Sequence, residues 1–219
     1  MKITAYLLTL FAASALASQA GVITLTFEGL RDEEEILNYY NGGYGSLGSG
    51  PGPNYGIIFS PNSEAIIEDD KGGRGDFRGE PSPDTIVGFL YGVDIMDVPA
   101  GFTTGFSFYY SAVFDPGTVN VWSGLDATGT LLASISLPLT PDGANECGAS
   151  LCSFVADGEA FSGTALSVDF GPTADEIGFD NITLGSSVPT QTIIPEPSTL
   201  MMLAGGVLAI FGGRRFRKP

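Results

Sequence analysis

Thr118-Val119-Asn120-Val121-Trp122 and, beyond a turn, Leu131-Leu132-Ala133-Ser134-Ile135-Ser136-Leu137 decide the fold. Val119 and Val121 alternate with polar neighbours. Leu131, Ala133, Ile135 and Leu137 fall on one side of an extended chain. This period of two suits a half-buried strand and not a helix. Working upstream, Phe102 to Tyr110 places Phe106, Phe108 and Tyr110 on one face, with Asp94 to Val98 and Thr85 to Tyr91 before it. Val22 to Glu28, Tyr55 to Ser60 and Ala65 to Glu68 read as earlier strands. Cys152 to Ala156, Ala165 to Phe170 and Glu176 to Leu184 read as later ones. Asp32 to Tyr40 alone has a weak helical pattern. Short strands between Gly- and Pro-rich turns, over the length of one domain, predict an all-β chain built as a single β-sandwich, with a jelly roll as the choice within that class.

The two ends stand apart from this pattern. Met1-Lys2, the apolar Ile3 to Ala17 and the small residues of Ser18-Gln19-Ala20 predict a signal peptide over residues 1–20, cut before Gly21; Ala15-Leu16-Ala17 offers a second cut. The β-domain is then 21–190 and the tail 191–219. In the tail, Pro195-Glu196-Pro197 precedes a 15-residue uncharged apolar run, 199–213, and a basic end, 214–218, with Arg214, Arg215, Arg217 and Lys218. As a helix the run spans roughly 22 Å, short for a permanent membrane span. The basic cluster would hold the C-terminus on the cytoplasmic side and the body outside.

Ile194-Pro195-Glu196-Pro197-Ser198-Thr199-Leu200, the apolar run and the arginine cluster resemble the PEP-CTERM sorting signal of Gram-negative bacteria. The resemblance implies recognition by exosortase, a membrane transpeptidase-like cysteine protease. It implies export, a cut near the motif, and association with the cell surface or exopolysaccharide. Pro195, Glu196 and Pro197 would be recognition groups for that enzyme. The resemblance covers only the tail and implies no activity for the body.

The whole chain carries 25 acids and 9 bases. Setting aside Lys2, Glu196 and the four bases of the end leaves 24 acids against four bases in the body, a formal charge of −20. Such a charge excludes nucleic acid and anionic lipid as natural partners of the body and is compatible with bound Ca²⁺, whose ligands are oxygens. The chain has no histidine, which removes Ser-His-Asp triads, Cys-His pairs and His-based metal sites. Cys147 and Cys152 are the two cysteines. In an exported protein their close spacing predicts a disulfide, and one such pair is too few ligands for structural zinc.

Phe27-Glu28-Gly29, Gly105-Phe106-Ser107-Phe108-Tyr109, Val119-Asn120-Val121-Trp122 and Ile177-Gly178-Phe179-Asp180-Asn181-Ile182 resemble jelly-roll domains of the galactose-binding-like, carbohydrate-binding-module type. That resemblance implies adjacent first and last strands with a structural Ca²⁺ between them, and Glu28 and Asp180 are the matching positions. The alternative is that the two are ordinary solvated strand-end residues.

Other motifs carry less. Gly43-Tyr44-Gly45-Ser46-Leu47-Gly48 has the spacing of a dinucleotide fingerprint, but no helix follows it to hold a pyrophosphate. Tyr39, Tyr40, Tyr44 and Tyr55 flank that Gly/Pro loop and could stack on sugars or anchor the loop. Glu64 to Asp84 reads as a charged, solvated loop that includes Arg74-Gly75-Asp76, an integrin-type tripeptide. No acid sits in a recognisable catalytic motif. The expected function is therefore a non-enzymatic surface or matrix module that binds glycan or exopolysaccharide. The alternatives are a secreted Ca²⁺-dependent polysaccharide hydrolase, which needs a cleft with two carboxylates about 5–10 Å apart, and an ice-surface binder, which needs a regular threonine face that the isolated Thr103-Thr104 does not supply.

Overall fold

The computed structural model describes residues 21–89, 92, 94–141, 147–171 and 177–190. The signal segment, the sorting motif, the apolar run and the basic end lie outside the described residues. No helix among the described residues is long and apolar enough to cross a membrane.

The expected all-β class holds. The strands are β1 (Ile23–Leu25), β2 (Glu34–Glu35), β3 (Ile58–Phe59), β4 (Ser63–Ile67), β5 (Thr85–Phe89), β6 (Ile95–Ala112), β7 (Gly117–Trp122), β8 (Leu131–Leu137), β9 (Val155–Asp169) and β10 (Ile177–Leu184). All described pairings between these strands are antiparallel, in the order β2-β4-β5-β10-β6-β9-β7-β8, with β1 on β10 and β3 on β6. The decisive alternating stretch forms β7 and β8, with Val119 opposite Ile135 and Val121 opposite Ala133, all buried.

Asp94 to Val98 and Phe102 to Tyr110 are halves of one strand, β6. Its register against β9 slips between Asp97 and Phe102, where Pro99-Ala100-Gly101 intervenes. Gly101 has φ +73°, a conformation costly for a residue with a Cβ. Such an irregularity bends a strand. The start of β6 therefore pairs with β3 and the end of β9, while its longer part pairs with β10 and the rest of β9. Cys152 to Ala156 and Ala165 to Phe170 likewise mark the two ends of one strand. The polar, Gly-containing stretch between them imitates a turn in sequence.

The two parts of the sheet meet through aromatic rings. Phe170, just beyond β9, packs on Phe89 of β5 with ring centroids 4.6 Å apart and on Phe179 of β10 at 5.2 Å. Phe108 meets Phe179 at 5.2 Å. The sheet interior is thus a contiguous apolar cluster that also takes in Val121 and Leu137.

Asp32 to Tyr40 is not a helix. Glu33 (φ +57°) and Leu37 (φ +46°) break helical geometry, and Glu34 and Glu35 pair with β4. The cause is Glu34, fully buried, whose carboxylate accepts backbone N–H bonds from Arg31 (2.8 Å), Leu47 (2.9 Å) and Ser49 (3.0 Å). Burial pushes this carboxyl up, but the hydrogen bonds from Ser49, Arg31 and Leu47 outweigh it and hold it below its ordinary range. The Gly-rich loop after Tyr40 is thereby pinned to β2, and no helix follows its glycine pattern.

Candidate functional site

Residues of β4, β5 and β10 alternate between the core and an outward face. Val87, Phe89 and Phe179 enter the core, and Ile86, Gly88 and Gly178 turn outward. Gly88 and Gly178 stand directly opposite each other, as do Ile66 and Ile86. Two adjacent missing side chains leave a hollow with an aliphatic bed, part of a groove of about 290 Å³. A Cβ at Gly178 would lie 2.7 Å from Ile86 Cδ1, whereas one at Gly88 would make an ordinary 3.5 Å contact with Ile66.

Two loops zipped together build the wall. Phe77 and Leu151 form a parallel bridge; Leu151 N–H donates to Asp76 O (3.0 Å) and Arg78 N–H to Leu151 O (2.9 Å). Ser150 Oγ donates to the Asp76 carboxylate. Cys147 and Cys152 are joined across this lip as a disulfide, Cα atoms 6.6 Å apart, and Ser111 Oγ on β6 donates to Cys152 O (2.9 Å). Farther back, Arg78 pairs with Glu68 (2.9 Å) and Asp69 (2.6 Å). The charged stretch begins in β4 and is braced by these contacts, while Asp69, Asp70, Lys71, Arg74 and Asp76 stay exposed, as expected of a solvated loop. Within it, Arg74 is held by Glu33 through both carboxylate oxygens, Gly75 is buried and Asp76 is held by Ser150. The Arg-Gly-Asp tripeptide lines the groove, with Arg74 and Asp76 exposed. Phe114, 59% exposed, completes the rim.

The groove was not legible in the sequence, because its parts come from seven separated segments. An outward glycine on each of two adjacent strands and an exposed phenylalanine are its only local signals. The tyrosines mostly anchor: Tyr39 and Tyr40 are buried, Tyr40 Oη accepts Phe27 N–H at 2.7 Å, and Tyr55 stacks on Tyr40 at 6.2 Å. Tyr44 remains exposed. Thr103 and Thr104 are exposed, and Thr104 Oγ1 donates to Gly185 O at 2.7 Å.

Glu28 and Asp180 are brought to one turn. Glu28 Oε1 accepts the N–H groups of Asp84 and Thr85, each at 3.0 Å. Asp180 Oδ2 accepts Ser82 N–H (2.7 Å), and Oδ1 accepts Ser82 Oγ–H (2.7 Å) and Asn181 N–H (2.6 Å). β1 and β10 pair directly, with Ile23 opposite Leu184 and Leu25 opposite Ile182. Asp180 is fully buried. Burial pushes its carboxyl up to about 7 against the pull of those hydrogen bonds, and the Glu28 charge adds to the rise. Glu80 is also pushed up to about 7, by burial and then by the charges of Glu68 and Asp180. Among the described residues no group of three or more acidic, cysteine or histidine side chains is placed to share a metal ion.

No curated protein matches the chain. Among solved structures, a family 6 carbohydrate-binding module of Clostridium stercorarium in complex with cellobiose is 16% identical, over 60% of this chain and 86% of that one, with a TM-score of 0.36. A β-1,3-glucan-binding family 6 module of Bacillus halodurans is 15% identical over 60% and 96%, with a TM-score of 0.37. The K1 cleaved adhesin domain of Lys-gingipain from Porphyromonas gingivalis is 14% identical over 59% and 98%, with a TM-score of 0.34. Residues 194–218 match the PEP-CTERM protein-sorting motif. The chain therefore carries a PEP-CTERM sorting signal, which marks it as an exported protein sorted to the cell surface.

Proposed function

We propose that this protein is a non-enzymatic, exosortase-processed component of the cell surface or extracellular matrix, whose jelly-roll-like β-sandwich binds polysaccharide in the groove on β4, β5 and β10. The groove carries the reading. A pyranose ring has an apolar C–H face and an equatorial belt of hydroxyls. The aliphatic bed and the exposed Phe114 ring suit the face, and Ser150, Asp76 and Arg74 on the rim suit the hydroxyls. The acids of the groove are engaged, Glu33 by Arg74 and Asp76 by Ser150, which favours binding over hydrolysis.

A structural Ca²⁺ held by Glu28 and Asp180 belongs to the same proposal. Their convergence on Ser82–Thr85 and the nearby acids Glu68 and Glu80 support it. The N–H donors of that turn would compete with the ion for the same oxygens. The ion would supply charge compensation to the acids that join the first strand to the last.

The test is retention of the exported protein on immobilised polysaccharides, with and without Ca²⁺, together with an assay for released reducing ends. Retention on at least one glycan, with no reducing ends released, is expected. Phe114→Ala should weaken binding about tenfold by removing a stacking ring, with an unchanged melting temperature. Binding that ignores this substitution would place the site elsewhere, and retention on no glycan would remove the reading.

A further inference from the structure

The chain after β10 does not leave the domain at once. Gly185 N–H donates to Gly105 O (3.0 Å), Thr104 Oγ1 donates to Gly185 O (2.7 Å), and Ser107 Oγ donates to Ser186 O (2.9 Å). The backbone then crosses β6 and β9 at two glycines: a Cβ would lie 2.5 Å from Ser187 N at Gly105 and 2.6 Å from Ser187 O at Gly158. It is fastened again at Thr190, whose carbonyl accepts Asn181 Nδ2–H (3.1 Å) and whose N–H donates to Thr183 Oγ1 (3.3 Å). Residues 185–190 are thus a strap across the sheet.

The sorting motif begins at residue 194. From Thr190 that is four Cα steps, about 14 Å at full extension. An enzyme that grips the motif must come that close to the folded body.

The surface around this exit differs from the rest of the body. A hollow of about 90 Å³ opens between Ile23, Tyr55, Val98, Phe102 and Leu184; none of its lining residues has a charged side chain, and Gly21 in its lining would carry the α-ammonium of a chain cut before it. The strap has no charged residue either. Val188 is 69% exposed and Val22 56%, and a side chain at Gly185 would touch Val22. Asp157 and Glu159 on β9 stand at the border. In a body with a formal charge of −20, a partly apolar end with no acidic side chain in its strap or hollow is a departure at the place from which the chain leads to the motif.

We infer that this end, the strap 185–190 with Val22 and the rim of the small hollow, is a docking face for the non-cytoplasmic surface of the sorting enzyme. On this view the enzyme reads the folded body as well as the tail. The inference rests on the reading that exosortase processes the tail.

The experiment follows processing of the full chain in an exosortase-bearing host by the mass of the surface form. Val188→Glu and Ala100→Glu each place a carboxylate on an exposed position of this face, and Ser134→Glu does the same on the outer side of β8. An unpaired charge in the contact should slow processing about fivefold or more and accumulate precursor, while Ser134→Glu processes normally. Melting of each purified precursor checks the fold. A flexible 12-residue insert after Thr190 should restore processing of the two slow variants, because the motif then reaches the enzyme without docking. Wild-type processing of Val188→Glu and Ala100→Glu overturns the inference, and so does failure of the insert to rescue them. If the wild-type chain itself is not processed, the underlying exosortase reading fails instead.

Discussion

Asp180 shows how much one side chain is asked to do. It lies fully buried on the outward side of β10, and its two oxygens hold the Ser82 turn and the backbone of Asn181. Its carboxyl, pushed up to about 7 by burial, keeps a proton in the fold that it loses near pH 4 when unfolded. Glu80, at about 7, and Asp94, pushed up to about 6 by burial beneath Ser60 and Ser63, act in the same direction. Between about pH 4 and 7 the native state then binds more protons than the unfolded chain, so stability falls as pH rises across that window. In chelator the melting temperature should drop from pH 5 to pH 7.5, and Asp180→Asn should flatten the slope; a flat wild-type profile would refute the assignment. At neutral pH, Ca²⁺ bound to Glu28 and Asp180 would stabilise the fold by about 2.7 kcal/mol at a hundredfold excess over Kd. Chelation should therefore lower the melting temperature at pH 7.5 and do less at pH 5, where protons compete. Identical melting curves with and without chelator would leave the two acids with their hydrogen-bonding role alone. Both residues were picked out in the sequence through the resemblance to jelly-roll carbohydrate-binding modules, in Phe27-Glu28-Gly29 and Phe179-Asp180-Asn181. Glu34 could not, since nothing local announces that a charged residue in a seemingly helical stretch will be buried by a loop folding back over it.

At the scale of elements, the groove depends on two absences and one staple. Gly88 has room for a Cβ and lies in a strand, so Gly88→Val should fold, fill the hollow and abolish glycan retention without lowering the melting temperature. Retention by that variant would separate binding from the groove. The Cys147–Cys152 bridge closes a small loop, so its contribution is modest, roughly 2–3 kcal/mol at most. Thiol titration of the native exported protein should find no free thiol, and the double Cys→Ser variant should melt lower. Two free thiols would reject the bridge. β8 was read from sequence to its last residue and β7 to within one, because each keeps one face wet and one dry. β6 and β9 were read as pieces. Pro99-Ala100-Gly101 and Asp157-Gly158-Glu159 carry turn chemistry, and only tertiary context makes them strand. Gly158 is where the strap crosses β9, which no pattern local to β9 can show.

For the molecule as a whole, the address was more legible than the occupation. The sorting motif is contiguous, so its order and spacing survive in sequence, whereas the groove exists only once seven segments are assembled. In an exosortase-bearing host the surface form should lack residues beyond the motif, and an intact Arg217-Lys218 end in its mass spectrum would contradict this. Replacing Arg214, Arg215, Arg217 and Lys218 by Gln should weaken retention before the cut, as the positive-inside anchor is lost. If the proposed processing holds the body at the surface by its C-terminal end, that end also decides how the body carries mechanical load. Drag on material bound in the groove would then be resisted at Thr190. The Thr190 bonds to Asn181 and Thr183 take tension first, and the strap bonds to Ser107, Thr104 and Gly105 follow, so the strap can peel one contact at a time. Behind them stands β10, with β6 along one edge and β5 and β1 sharing the other. A pull along β10 strains those rungs together instead of one after another. The strand that leads to the tether is thereby the one best placed to bear force, and the strap gives way before it as a short extensible link.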